Sequence, residues 1–129
     1  MLLRTGVDLV EVRRFERALE RHGERLLARI FTPREREQCG EKVQSLAARF
    51  AAKEAVSKAL GTGIGKVGWR EIEILTLPNG EPQLVLHGKA AQLARSLGLE
   101  VWSLSLSHTA ECAVAFVASV GVQERQSQL

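Results

Sequence analysis

Apolar positions along the chain follow two periods, and the switches between them mark its elements. Between Glu11 and Ile30, at about 100° per residue, Val12, Phe15, Leu19, Leu26 and Ile30 fall on one face of a helix. Arg14, Arg17, Arg21 and Arg25 fall in a narrow arc on the opposite face, and Gly23 stands where it would break the helix in two. Residues 3 to 8 before it read as a short strand ending at Asp8. Thr32-Pro33 followed by Glu35 reads as a helix start, because the hydroxyl can cap and proline suits the first helical position. A long helix from about Gln44 to Leu60 runs into the glycine loop Gly61 to Gly65, where a left-handed cap and a loop of backbone N–H groups are expected. Ile72 to Thr76 and Gln83 to His87 alternate as strands, and Pro78-Asn79-Gly80 between them is a strong hairpin signal. Lys89 to Leu97 returns to helical spacing and ends at Gly98. Val101 to His108 and Glu111 to Val120 complete the set as strands. The last is apolar at nearly every position, which predicts burial on both faces.

No internal repeat or low-complexity linker interrupts this order. The pattern predicts one domain over residues 1–120, with a polar tail over 121–129 that is expected to fray. The fold class is α+β, a small antiparallel sheet flanked by helices.

Composition narrows the function classes. In 129 residues, 26% charged and 45% hydrophobic positions are ordinary globular values and argue against disorder. Arg4 and Asp8 interrupt the first apolar run before a signal-peptide core or membrane span could form, so a soluble, cytoplasmic protein without a membrane partner is expected. Cys39 and Cys112 lack metal-ligand spacing and read as reduced, partly buried thiols. The net charge of +3 suggests an acidic partner. For the arginine helix the bland reading is a solvated face laced with Glu–Arg pairs. Arginine without lysine favours recognition of carboxylates or phosphates, which planar guanidiniums bind through two parallel bonds.

The stretch from Arg49 to Gly61, R-F-A-A-K-E-A-V-S-K-A-L-G, is a mainly apolar helix with charges inside it. Glu54 and Lys58 share one stripe with Ala47 and Ala51, small residues that leave room near the backbone. Arg49 and Lys53 form a second stripe, and the polar groups flank a ridge of Leu46, Phe50 and Ser57. Taken alone, Glu54 and Lys58 at this spacing read as a surface salt bridge of a few tenths of a kcal/mol.

Other strings accompany it: G-V-D at Gly6 to Asp8, I-F-T-P-R-E at Ile30 to Glu35, N-G-E-P at Asn79 to Pro82, and S-L-S-H-T at Ser105 to Thr109. With F-A-A-K-E-A-V-S-K and the glycine loop, in this order and chain length, they resemble the 4′-phosphopantetheinyl transferases of the short holo-[acyl-carrier-protein] synthase type, from roughly Thr5 to Ala118. One departure is Cys112, where many members carry an aromatic.

The resemblance implies a reaction and a set of roles. Phosphopantetheine would pass from coenzyme A to a serine of an acyl carrier protein, with release of adenosine 3′,5′-bisphosphate, in the service of fatty acid biosynthesis. Asp8 and Glu54 match the two acidic positions that hold Mg²⁺, with water and pyrophosphate oxygens completing the octahedron. Lys58 would neutralise or protonate the departing phosphate. Arg49 and His108 match positions that contact coenzyme A phosphates, Lys42 is a further candidate for the 3′-phosphate, and Gly61, Gly63 and Gly65 would give clearance and donors to the nucleotide. Arg14 and Arg21 match carrier-docking positions, extended by proximity to Arg17 and Arg25. The base for the serine stays open between a water oriented by Asp8 or Glu54 and a carboxylate acting directly. The resemblance also implies a homotrimer with active sites between subunits. The alternative is a non-catalytic RNA-binding module using the basic helix. Low aromatic content, 5% with no tyrosine, and the intermixed glutamates weigh against that reading and against a nucleic-acid partner.

Overall fold

The computed structural model describes residues 1–121, so the expected tail lies almost wholly outside the described residues. Two small antiparallel sheets and four helices follow in the order β1 (Leu2–Glu11), α1 (Val12–Ile30), α2 (Pro33–Cys39), α3 (Val43–Ala59), a 3₁₀ turn (Trp69–Glu71), β2 (Ile72–Thr76), β3 (Pro82–Leu86), α4 (Gly88–Leu97), β4 (Leu99–His108) and β5 (Cys112–Gly121). Strands β1, β5 and β4 form one sheet with β5 central, and β2 and β3 form the hairpin. The α+β expectation holds, with the sheet divided in two. Among the described residues no helix is long and apolar enough to cross a membrane.

Helix α3 lies across the inner face of the three-stranded sheet. Its small residues permit this: Ala47, Ala51, Ala55 and Ala59, four apart on one stripe, are wholly buried. The strand answers with Gly6, where an added Cβ would come within 1.8 Å of the Ala55 carbonyl oxygen. Gly6 is therefore where β1 touches α3, and the side chain two residues further on, Asp8, leaves the strand toward the same helix. Strand β1 runs on to Glu11, so Asp8 lies within a continuous ladder opposite Ala115 and not at a strand end. The added strand pairing holds its backbone more firmly than the expected strand end would.

Helix α1 breaks where expected. Gly23 takes φ 56° and ψ −135°, a combination that L side chains rarely adopt, and the arginine face turns there. Val12, Phe15 and Ile30 are buried beneath it. The Thr32 cap is complete: its hydroxyl accepts from Glu35 N at 3.1 Å, and Glu35 Oε1 accepts from Thr32 N at 2.9 Å.

The second polar stripe of α3 proves to be internal. Lys53 and Glu35 are both fully buried and paired at 2.8 Å, and Lys53 also donates to the carbonyls of Trp69 at 3.0 Å and Ile72 at 2.6 Å. Glu35 Oε2 accepts from Ile74 N at 2.7 Å. Burial pulls the Lys53 ammonium below its usual proton affinity, and the Glu35 carboxylate opposes that. With its three donors used, the pair ties α3 to α2, the 3₁₀ turn and β2, and so fixes which face of α3 looks away from them.

The expectation that β5 is buried on both faces fails. Its inner face is buried, but Phe116 on the other side is 46% exposed, and Leu3, Val7, Leu9 and Val101 extend the same uncovered apolar face. An unbroken apolar run reports burial against something, and among the described residues nothing covers the outer side. Both cysteines are free, Cys39 buried and Cys112 half-buried.

Candidate active site

The face of α3 turned from the buried pair carries Glu54 and Lys58, and β1 presents Asp8 to it. Lys58 does not pair with Glu54 one turn earlier, as the spacing alone would suggest. Its ammonium donates to Asp8 Oδ1 at 3.1 Å and to the Val7 carbonyl at 2.9 Å. Glu54 is half-buried and makes no side-chain hydrogen bond or ion pair among the described residues. Burial first, and then the charge of Asp8, push the Glu54 carboxyl above the usual carboxylate range, while Lys58 acts against them. The two carboxylates are thus held close enough to feel each other, and the single ammonium that acts against them is bonded to Asp8.

Asp8 and Glu54 line a cleft whose other walls come from the end of β1, from Arg14 and Phe15 of α1, from Phe50 of α3 and from Cys112 of β5. Phe15 and Phe50 lie with ring centroids 5.1 Å apart, and Phe50 stacks on Trp69 at 4.9 Å. The sequence reading placed Phe50 on an apolar ridge and missed its part in this wall. The signal was there, since Phe50 and Glu54 are four apart and share a stripe. Cys112 takes a place in the same wall, where a smaller side chain leaves the cleft wider than an aromatic would.

The arginine face is open. Arg14, Arg17, Arg21 and Arg25 are exposed, and none forms an ion pair among the described residues. Glu24, a partner offered by the bland reading, binds Arg36 of α2 instead, with one bond at 2.8 Å. Arg14 joins the carboxylate cleft, Arg17 lines the neighbouring one with Lys42, and Arg21 and Arg25 lie beyond.

Four groups expected on the nucleotide side lie apart from the carboxylates within the single chain or have their donors engaged. Arg49 is buried and bound to the Glu35 carbonyl at 3.3 Å and to the Thr76 hydroxyl at 2.6 Å, on the side of α3 away from Asp8. Lys42 caps α3 twelve residues before Glu54, roughly 18 Å along the axis. His108 is exposed at the end of β4 opposite Ala113, two strands across from β1 and one inward-facing row beyond Asp8, on the order of 12 Å away. The glycine loop has spent its donors: Gly61 N bonds to Lys58 O, Gly63 N to Ser57 O, and Gly65 N to Val67 O. The first two close the end of α3, so the loop leaves clearance but does not offer the expected ring of free N–H groups.

Comparison with known proteins assigns the chain and its fold to a class. Residues 4–117 match the model of the 4′-phosphopantetheinyl transferase superfamily, and the chain belongs to that superfamily. It is an enzyme of the holo-[acyl-carrier-protein] synthase type. The synthase of Herpetosiphon aurantiacus is 47% identical over 127 residues, covering 93% of this chain and 100% of that protein. The synthase of Desulforudis audaxviator is 50% identical over 129 residues, covering 98% of each chain. Among solved structures, the Helicobacter pylori synthase in complex with coenzyme A superposes with a TM-score of 0.82 at 34% identity, covering 90% of this chain and 99% of that one. A non-catalytic RNA-binding module is accordingly left without support.

Proposed function

We propose that this chain transfers the 4′-phosphopantetheine group of coenzyme A to a serine of an acyl carrier protein and releases adenosine 3′,5′-bisphosphate, with Mg²⁺ held by Asp8 and Glu54. The observation that carries the reading is the facing pair of carboxylates, one of them without a partner and with its ionised form penalised by burial and by the other. All-oxygen donors in a charge-rich, half-buried cleft suit a hard divalent cation. Two protein ligands suffice for an ion that takes its remaining oxygens from water and substrate. When bound, the cation would supply neutralising charge at the pyrophosphate.

The chain's own groups have distinct tasks in this reading. The serine oxygen forms a bond to the phosphorus that bears pantetheine, and the bond from that phosphorus to the bridging oxygen breaks. The hydroxyl proton passes to Asp8 or Glu54, directly or through a water they orient. Lys58 stabilises or protonates the departing phosphate. Phe15 and Phe50 keep one wall of the cleft dry, which strengthens every charge interaction beside it.

Arg14 and Arg21, with Arg17 and Arg25 beyond them, would dock an acidic carrier protein, and their lack of ion pairs among the described residues supports this. A homotrimer would cover the apolar sheet face of Leu3, Val7, Leu9, Val101 and Phe116. A neighbouring copy would then be the source of phosphate contacts from Arg49, Lys42 and His108. The setting is cytoplasmic fatty acid biosynthesis. Chromatographic detection of adenosine 3′,5′-bisphosphate tests the reaction. Release from coenzyme A should require both Mg²⁺ and an apo carrier protein, and the absence of release with several carriers would refute it.

A further inference from the structure

Lys58 is better placed to serve Asp8 than to serve a phosphate. Its ammonium has two acceptors on β1, Asp8 Oδ1 at 3.1 Å and the Val7 carbonyl at 2.9 Å, and nothing on its own helix. We propose that Lys58 is a displaceable stand-in for the divalent cation. In the cation-free protein its charge occupies Asp8, and cation binding at Asp8 and Glu54 releases the ammonium for an incoming phosphate. The inference rests on the metal reading of Asp8 and Glu54.

Three features support an exchange over a permanent pair. Asp8 is fixed by the β1–β5 ladder, and its side chain is 19% exposed, whereas Lys58 is 51% exposed on a flexible stem. The mobile partner is therefore the lysine, and a solvent-exposed ion pair is weak enough to give way. Next, one ammonium cannot balance two carboxylates, and by bonding to Asp8 it leaves Glu54 without a side-chain hydrogen bond or ion pair among the described residues. A divalent ion matches the full charge and a monovalent one does not. Finally, two of the three Lys58 donors are spent on β1, so the ammonium can give its full charge and donors to a phosphate only once it leaves Asp8 and the Val7 carbonyl. Binding would be ordered by the chain: without the cation, Lys58 is engaged and Glu54 repels the pyrophosphate.

The probe is Mn²⁺ alone, titrated calorimetrically into the protein without coenzyme A. Asp8→Asn and Glu54→Gln locate the site, and each should weaken binding strongly. Lys58→Met and Lys58→Gln, which keep a stem without charge, should bind about tenfold tighter than the wild type. Arg14→Gln removes a charge from the same cleft without freeing Asp8 and should change affinity by less than about twofold. In the wild type, the Cε and Hε resonances of Lys58 should move on adding Mg²⁺, and in Asp8→Asn they should already be displaced. Affinity unchanged by Asp8→Asn and Glu54→Gln would overturn the metal reading and the stand-in with it. Normal site behaviour with equal affinity in wild type and both Lys58 variants would overturn the stand-in alone. So would equal tightening in Arg14→Gln, which would assign the effect to long-range charge.

Discussion

Lys53 Nζ lies 2.8 Å from Glu35 Oε1, and neither side chain reaches solvent. The pair joins α3 to the cap of α2 and so sets the rotation of the helix that carries the next residue, Glu54. Breaking it strands a buried charge, so Lys53→Met should cost about 3–5 kcal/mol in denaturant unfolding. The double variant Lys53→Met, Glu35→Gln should recover part of that loss, because it removes the stranded charge while the amide oxygen can still accept from Thr32 N or Ile74 N. A single-variant loss below about 1 kcal/mol would mean that the pair does not clamp the fold.

Gly6 sets the distance between the carboxylates. A methyl group there meets the Ala55 carbonyl at 1.8 Å, so Gly6→Ala must push α3 from β1 and carry Glu54 and Lys58 away from Asp8. Destabilisation of about 3 kcal/mol is expected, with a fall in turnover larger than the unfolded fraction explains. Thermal melts and kinetics on the same preparation check both.

Acid should weaken the fold partly through Glu73. Burial would raise its proton affinity, but the Thr32 hydroxyl at 2.6 Å, the His87 imidazole at 3.0 Å and the Arg34 charge together hold it below the ordinary 4.5. A depressed carboxyl stabilises the fold fully above its unfolded value and loses that contribution as pH falls through its folded value. Glu73→Gln should therefore lower stability near pH 7 and flatten its decline below about pH 4.5. Urea midpoints across that range test it, and parallel curves for the two proteins would contradict it.

Charge reversal on α1 should act on one substrate alone. Arg14→Glu with Arg21→Glu should raise the carrier KM by an order of magnitude or more and leave coenzyme A affinity almost unchanged. Added salt should weaken the wild-type dependence on carrier and affect the double variant far less. Steady-state kinetics at two salt concentrations decide it, and an unchanged carrier KM in the folded variant would remove the docking role.

What the sequence made legible was local or periodic. The Thr32 cap, the Gly23 break, the Pro78 to Gly80 turn and the Gly98 cap each depend on neighbouring residues, and each formed as expected. The inner and outer stripes of α3 were visible, but not which polar stripe was dry. Lys53 finds its partner eighteen residues away and Arg49 finds Thr76 twenty-seven away, and helical spacing carries no record of either. The same limit hid the Lys58 bond to Asp8, where the local rule pointed to Glu54. Strand β5 misled because an apolar run reads alike whether its second face meets the chain itself or stands open.

The central claim is that Asp8 and Glu54 together form the anionic site at which phosphopantetheine transfer occurs. The most direct measurement is the intact mass of an apo acyl carrier protein after incubation with coenzyme A, Mg²⁺ and this protein, beside Asp8→Asn and Glu54→Gln variants shown to be folded. The account predicts one added phosphopantetheine on the carrier with the wild type, none when the divalent ion is chelated, and a rate lower by about a thousandfold or more with either variant. Transfer at the wild-type rate by both variants, or with the cation removed, would contradict it.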